Sequence, residues 1–415
     1  MTYVLGVPIL DINDTKDYYC VFLTRDAEHV SRNSHDDKEL AKLEGGWCEA
    51  DAPYDPVFLD RLTAYINSTD LSVYNSSGER KKSTDEAGAD HETPSVATSM
   101  WDDHSKRHLP FLHNLKNGES HAAYRTLNRM YQSTVMHGIT QGDIDTRYTQ
   151  MYPGIREIRL KRTWDILLGI CEYVGIVPPQ NHEQGASYLV VPIVTLIRAL
   201  EAHLRHNFQV PIFEAPPWQG GQWCLHTECG LFGDRDLIAL YLAMKIAEKF
   251  PERTSKIAEI GGGSGFVAYW LYLFGYRNIT MVDLPIVACC QAFQLKTNLP
   301  DATISLPNER DPANIKFLDA QQFIDGNHQY DLVINCDSLP EMSLETVHAY
   351  LDAISRQSQF FYSINQESRA QGPDGRQHSI RYEIKQNFRG KLVRADRSRF
   401  WLRDGYTEEW YGVVR

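Results

Sequence analysis

The sequence lacks long apolar runs and an excess of basic residues. No stretch reaches the roughly 18 apolar residues of a membrane span. The opening MTYVLGVPILDINDTKDYY has no basic start of the kind that a signal peptide carries. Acidic residues outnumber basic ones by 54 to 42, which gives a net charge of −12. These features argue against a membrane protein and against a general nucleic-acid or anionic-membrane partner.

Cysteine is also scarce, because only eight are scattered over the 415 residues. A disulfide framework needs a much denser pattern in a shorter chain, so the cysteines suit a reducing compartment. With no leader visible at the start of the sequence, we expect a cytoplasmic protein.

The length and the 42% hydrophobic content exceed what one ordinary domain needs and are enough for two cores. We expect residues 1–100 to form an α+β segment with a flexible polar stretch at 68–98. Residues 101–250 show helical periodicity and could serve as a substrate cap or a homodimer contact. Residues 251–415 form the remaining part, where strands and helices alternate.

Five apolar strands alternate with helices in that last part, and two more could close the sheet. Such alternation predicts an α/β fold of Rossmann-like type, with a mostly parallel sheet and helices on both faces. The predicted strands are Ile257–Ile260, Asn278–Val282, Ile315–Leu318, Tyr330–Cys336, Gln359–Ile364, Leu392–Ala395 and Trp410–Val414.

A glycine-rich turn follows the first of these strands, in the stretch IAEIGGGSGF. Its acid is Glu259 and its alternate glycines are Gly261, Gly263 and Gly265. A dinucleotide fingerprint would need its third glycine at position 266, which is Phe266. The spacing acid-x-G-x-G-x-G is the first motif of class I S-adenosylmethionine (SAM) methyltransferases. An ordinary glycine-rich turn is the alternative interpretation.

Further polar residues come where the next strands end. Because the carboxyl ends of parallel strands meet at one edge of a sheet, these side chains are expected to gather there. Asp283 ends the second strand and could accept both ribose hydroxyls of the cofactor. Asp319 and Ala320 follow the third strand and could contact the adenine amino group. Both acids could instead cap the helices that follow them.

Four blocks in order resemble the bacterial sugar O-methyltransferase family: EIGGGSGF, VDLP, NCDSLPEMS and FYSINQE. The resemblance implies a class I methyltransferase domain over residues 251–415, SAM as cofactor, and methyl transfer to a hydroxyl of a sugar. That sugar could be free, part of a glycan, or part of a glycosylated natural product. Some of the same blocks resemble O-methyltransferases of phenols, so a phenolic or polyketide acceptor is the first alternative. A non-catalytic SAM-fold binding protein is the second.

A sugar hydroxyl is a poor nucleophile until a base removes its proton. Asp337 and Glu341, which follow the fourth strand, are the predicted base candidates. Glu367 and Asn365 follow the fifth strand and are expected to bind or orient the acceptor. Asp337 and Glu341 could also hold Mg²⁺. Glu341 could instead cap the next helix, and Asn365 could simply hold its loop.

Two histidines and a tryptophan complete the candidate set. His378 follows a Gly/Pro-rich loop that could close over the site, and it is the alternative base. His226, which could also be the base, lies in a loop rich in tryptophan that could line the acceptor pocket or simply connect two helices. Trp401 could stack on a sugar ring, although aromatic side chains more often serve as core.

Overall fold

The protein is described by a computed structural model that covers residues 2–4, 7–9, 44–69, 71, 101–140, 142–178, 192–211, 213–367 and 378–414. Most of the predicted flexible stretch, 68–98, lies outside these residues.

The described strands and helices alternate as expected in the C-terminal part. The strands are β1 (Thr2–Val4), β2 (Val7–Ile9), β3 (Gly45–Trp47), β4 (Trp223–Thr227), β5 (Gly230–Phe232), β6 (Lys256–Ile260), β7 (Asn278–Val282), β8 (Ile304–Ser305), β9 (Ile315–Leu318), β10 (Tyr330–Cys336), β11 (Ser358–Gln366), β12 (Leu392–Arg399) and β13 (Tyr406–Val413). The helices are α1 (Pro56–Ser68), α2 (Trp101–Lys116), α3 (Ser120–Asn128), α4 (Gly142–Met151), α5 (Pro153–Tyr173), α6 (Ile193–Phe208), α7 (Asp234–Lys249), α8 (Phe266–Leu273), α9 (Pro285–Asn298), α10 (Ala320–Asp325), α11 (Leu344–Gln357) and α12 (Ile380–Glu383).

One eight-stranded sheet organises the C-terminal part, in the order β12-β13-β11-β10-β6-β7-β9-β8. All neighbours from β11 to β8 pair in parallel, and β13 runs antiparallel to both β11 and β12. The predicted Rossmann-like fold class, with a mostly parallel sheet of the class I methyltransferase type, is confirmed. The three strands β3, β4 and β5 form a separate antiparallel sheet that the sequence did not predict.

The strands are apolar on both faces because each face supports a different layer of helices. Ile257 on β6 belongs to a cluster that includes residues of α7, α8 and α9, whereas its neighbour Ala258 packs with residues of α10 and α11. Tyr362 and Phe361 divide in the same way on β11. Helices therefore cover both faces, as predicted.

The N-terminal helices pack into the same core as one face of this sheet. Phe58 and Leu62, on the buried side of α1, belong to the cluster that contains Trp270 of α8 and Ile279 of β7. One apolar cluster therefore runs from the N-terminal helices into the sheet within the described residues. Of the helices in the described ranges, none is both long enough and apolar enough to cross a membrane.

The buried Asn298 of α9 binds the backbone of Trp218, in the segment that precedes β4. The Asn298 Oδ1 accepts from the Trp218 backbone N–H at 2.9 Å, and its Nδ2 donates to the Trp218 carbonyl at 2.9 Å. A second connection is the Arg61 guanidinium, which binds Glu309 through two hydrogen bonds of 2.7 and 2.6 Å. These contacts fix the N-terminal region against the sheet domain.

Replacing Asn298 with alanine should leave the buried backbone N–H and C=O of Trp218 without partners. Each of the two lost partners costs about 1–3 kcal/mol, so we expect a destabilisation of about 2–6 kcal/mol. Urea unfolding followed by fluorescence measures it. The control is Asn278→Ala, which removes an exposed hydrogen bond to the Thr254 carbonyl. Equal losses in the two variants would contradict the importance of the buried pair.

Candidate active site

The sheet reverses its strand order between β6 and β10. From β6 the chain continues to β7 on one side, while β10 pairs with β6 on the other side. In open α/β sheets, ligands bind in the crevice outside the carboxyl ends of the strands at such a point. The loop Gly261–Gly265 leaves β6 here and leads directly into α8.

The glycine loop has a backbone that other residues adopt only with strain. Gly261, Gly263 and Gly265 have φ angles of 67°, 56° and 79°. A Cβ on Gly261 would overlap the side chain of Ser338, which follows β10. The Cβ direction of Gly263 is open except for Ile139, 3.5 Å away in the N-terminal region. Of the three glycines, Gly263 is therefore the one whose backbone is open toward the crevice.

Two carboxyl groups flank this loop. Glu259 on β6 is 2% exposed, and its Oε2 has no hydrogen-bond partner among the described residues. Burial raises the pKa of Glu259 to about 8, with a further rise from the nearby Asp283. Burial also raises the pKa of Asp283 to about 7, although hydrogen bonds from the Leu284 N–H and from Gln291 at 2.7 Å oppose the rise. A cation bound between them would favour the ionised form of both groups and lower both pKa values.

Asp319 caps helix α10, which was the alternative interpretation of this residue. Its Oδ1 accepts from the Gln322 N–H at 2.7 Å, and the Gln322 side chain accepts from the Asp319 N–H at 3.1 Å. Ala320 is the first residue of α10. Both residues lie at the carboxyl end of β9, next to β7 in the sheet. The predicted adenine contact stays a prediction.

Asp337 lies directly after β10 and is held from four directions. Its carboxylate accepts from the Arg403 guanidinium at 2.5 Å and from the Tyr406 hydroxyl at 2.7 Å. Its backbone N–H donates to the Ile364 carbonyl and to the Asn365 side chain. These contacts stabilise a φ of 63°, which is uncommon outside glycine. Any proton that reached this carboxylate would compete with Arg403 or Tyr406.

Glu341 and His378 come together beside Asp337. Glu341 ends the short 3₁₀ turn Leu339–Glu341 that follows β10. The His378 backbone N–H donates to the Pro340 carbonyl at 2.9 Å, which brings the segment after the Gly/Pro-rich loop to the same turn. Ser343 caps α11 by accepting from the Thr346 N–H, so the cap of that helix does not depend on Glu341.

Asn365 differs from its expected position, because it lies inside β11 rather than after it. Pairing with β13 extends β11 to Gln366 and buries Asn365 to 4% exposure. Its amide donates to Asn335 and Ser363 and accepts from the Asp337 N–H. The structure therefore places it under the Asp337 turn, as in the alternative interpretation.

Glu367 lies in a cluster of ion pairs. Its carboxylate binds Arg381 at 3.0 Å and Arg397 at 2.6 Å, and Arg397 also binds the buried Glu409 at 3.2 Å. These contacts tie the end of β11 to β12 and β13. The predicted role of Glu367 in acceptor binding stays a prediction.

Trp401 and His226 belong to separate parts of the structure. Trp401, in the β12–β13 hairpin, is 41% exposed; it packs edge-on against Tyr241 of α7 and stacks with Tyr173 of α5. His226 is exposed on β4 of the small antiparallel sheet, where its ring lies against Gly46. Among the described contacts, none joins His226 to the glycine loop.

Several residues that lie at this edge were not predicted from the sequence. Arg403 and Tyr406 reach Asp337 across more than sixty positions. Tyr131 donates to Gln294 of α9 at 3.2 Å, and Ile139 faces Gly263. Arginines recur between positions 376 and 403 of the sequence, and their spacing does not distinguish Arg403 from the others.

The described side chains do not group three or more His, Cys, Asp or Glu residues in a way that could hold a metal ion. The Mg²⁺ site that Asp337 and Glu341 could have formed thus has no support from this geometry, because Arg403 already pairs with Asp337.

No protein-family model and no curated protein matches the chain. Solved structures do. Magnesium protoporphyrin IX methyltransferase from Synechocystis PCC 6803, with bound SAM, is 14% identical and matches 44% of this chain and 80% of its own, with a TM-score of 0.34. 1,6-Didemethyltoxoflavin-N1-methyltransferase from Burkholderia thailandensis is 17% identical over 43% of this chain and 79% of its own, with a TM-score of 0.33. A glycopeptide N-methyltransferase complexed with S-adenosyl-L-homocysteine is 11% identical over 42% and 90%, with a TM-score of 0.33.

Glu259→Gln should stabilise the protein increasingly as the pH rises. The folded protein keeps the Glu259 proton up to about pH 8, whereas the group ordinarily loses it near 4.5. The native state therefore binds more protons than the unfolded state between these values, and stability falls with rising pH across that window. Thermal unfolding at about pH 5.5 and about pH 8.5 measures the difference. The exposed Asp301→Asn is the control, and an equal gain at both pH values would contradict the assignment.

Proposed function

We propose that the chain is a SAM-dependent O-methyltransferase that acts on a hydroxyl of a sugar. One observation carries the cofactor part of this proposal: the three left-handed glycines lie at the switch point of the sheet, between the unpartnered carboxyl oxygen of Glu259 and Asp283. The sugar acceptor rests on the sequence blocks DSLPEM and SINQE, which both lie at this edge.

The residues present fit SAM in shape and charge. SAM carries a positive sulfonium and a positive ammonium group, and bound there it would supply an electrophilic methyl group. The bare backbone at Gly263 leaves room for a ligand that a Cβ would partly fill, whereas at Gly261 the Ser338 side chain already occupies that space. Glu259 and Asp283 would hold the ammonium and ribose ends, with Asp319 and Ala320 at the adenine end. A dinucleotide is disfavoured because Phe266 replaces the third glycine of its fingerprint.

The acceptor would enter at the carboxyl ends of β10 and β11. Here the protein must position a hydroxyl and remove its proton. Asp337 already forms an ion pair with Arg403, so the base role suits Glu341 or His378 better. Both lie at the turn that follows Asp337, and the buried Asn365 and Asn335 fix that turn from below. Asp337 then serves to position Arg403 and Tyr406.

Isothermal titration with SAM tests the cofactor assignment. Binding of a cation should ionise Glu259 and Asp283, release protons, and become tighter as the pH rises through about 7 to 8. Titrations in buffers of different ionisation enthalpy count those protons, and Asp283→Asn should lower both the count and the affinity.

Mass spectrometry with labelled SAM and a panel of sugars, glycosides and phenols then identifies the acceptor. If SAM does not bind, the proposed function is lost; binding without transfer to any acceptor would favour a non-catalytic protein.

The pH dependence of kcat/KM distinguishes the two base candidates. A base acts in its deprotonated form. With a histidine base, kcat/KM should therefore fall as the pH drops below about 6.5, whereas with a carboxylate base it should fall only below about 4. We expect substitution of the true base, by Glu341→Gln or His378→Gln, to lower kcat by about a hundredfold or more. The matched controls are Glu345→Gln and His121→Gln, both at exposed helix positions. Full kcat in both test variants would return the base role to Asp337.

A further inference from the structure

The carbonyl of Ile260, the last residue of β6, receives two side-chain hydrogen bonds from the strand beside it and from the turn after that strand. The Asn335 amide of β10 donates to it at 3.0 Å, and the Ser338 hydroxyl donates to it at 3.2 Å. Asn335 also donates to the Ser338 oxygen at 2.5 Å, which leaves the hydroxyl proton for Ile260. Gly261, the first residue of the glycine loop, follows Ile260 directly. The start of the loop is therefore held by side chains of the neighbouring strand and its turn.

Gly261 packs directly against the Ser338 side chain. A Cβ at position 261 would overlap both side-chain atoms of Ser338, and the φ of 67° already disfavours other residues there. In a close-packed contact one partner cannot move toward the other without displacing it. A shift of Gly261 toward Ser338 is therefore transmitted to the turn that follows β10.

The hydrogen bonds continue from Asn335 to the backbone of Asp337. The Asn365 amide of β11 donates to the Asn335 side chain at 3.0 Å, and the Asn365 oxygen accepts from the Asp337 N–H at 3.1 Å. Asn335 is fully buried and Asn365 is 4% exposed, so bulk water does not compete for these bonds. A chain of hydrogen bonds thus runs from the Ile260 carbonyl to Asp337.

Asp337 extends this connection to the hairpin between β12 and β13. Its carboxylate accepts from the Arg403 guanidinium at 2.5 Å and from the Tyr406 hydroxyl at 2.7 Å. Those two contacts depend on the direction of the Asp337 side chain, which its left-handed φ of 63° sets. A change at the glycine loop therefore has a continuous route, through one packed contact and these hydrogen bonds, to the turn and the hairpin at the acceptor edge.

We propose that Ser338 is a positioning residue that couples an occupied cofactor loop to the turn after β10. This inference rests on the proposed function for the identity of the cofactor. A ligand bound against the open backbone of Gly263 restricts the loop, and Ser338 transmits that restriction to Asp337 and the hairpin. The acceptor side of the site is then more rigid when the cofactor is in place, which favours binding of the cofactor before the acceptor.

Hydrogen exchange followed by mass spectrometry tests this coupling without an acceptor. Exchange is measured in the free protein and at saturation with S-adenosyl-L-homocysteine, which calorimetric titration establishes for each variant. In the unmodified protein we expect the ligand to slow exchange in the glycine loop, in the turn 337–341 and in the hairpin 399–407. In Ser338→Ala the loop should keep its protection, while the slowing at the turn and the hairpin should fall by about threefold or more. A loss of stability alone would speed exchange with and without the ligand and would not remove the difference.

The matched control is Ser355→Ala on α11, which removes a hydroxyl that donates to the Asp352 carbonyl at 2.7 Å. It should leave the ligand-induced slowing unchanged. Ser338→Cys keeps the shape but donates weakly, so it should show an intermediate loss, and it decides the question if Ser338→Ala does not fold.

Equal slowing at the turn and the hairpin in the unmodified protein and the Ser338 variants would overturn the coupling and leave the proposed function standing. The same conclusion follows if the ligand slows exchange in the glycine loop alone. If the titration shows that S-adenosyl-L-homocysteine does not bind the unmodified protein, the proposed function and the coupling both fail.

Discussion

The site depends on one constraint: a buried carboxyl group, Glu259, lies beside a second one, Asp283, at a turn of left-handed glycines. Glu259 sits inside the sheet, where its carboxyl group keeps a proton at neutral pH, and Asp283 lies close enough to add to that effect. The left-handed glycines between β6 and α8 add conformational cost. None of these features improves the packing of the sheet. Costs of this kind persist where the surrounding structure fixes them and a ligand benefits from them.

A second constraint follows at the neighbouring strand. Asp337 adopts a left-handed backbone because Asn365 and the Ile364 carbonyl hold its N–H while Arg403 and Tyr406 hold its carboxylate. The hairpin between β12 and β13 is thereby attached to the carboxyl end of β10. This attachment pairs one acid with one base, so neither of these two charges is free at the carboxyl end of β10.

The sequence predicted β7, β9 and β10 with correct ends because each is a short apolar run closed by a polar residue. It was wrong about the end of β11, where the polar residues of SINQ continue the strand. Pairing with β13 requires only backbone groups, so side-chain polarity gave no signal of it. Asn365 was consequently assigned to a loop facing the acceptor, whereas it is a buried bracket. The contacts of Arg403 with Asp337 could not be predicted, since composition does not specify which arginine reaches which acid.

The N-terminal region changes what the C-terminal motifs can mean. Ile139 covers the open side of Gly263, and Tyr131 reaches α9 from the turn beside Gly220. One continuous core joins α1 to β7, so these contacts rest on packing rather than on a hinge between separate bodies. Residues that resemble no family therefore form a wall of the crevice that the glycine motif opens. Under the proposed function, selection of the acceptor would depend on this wall and on the Asp337 turn, because the glycine loop serves only the cofactor.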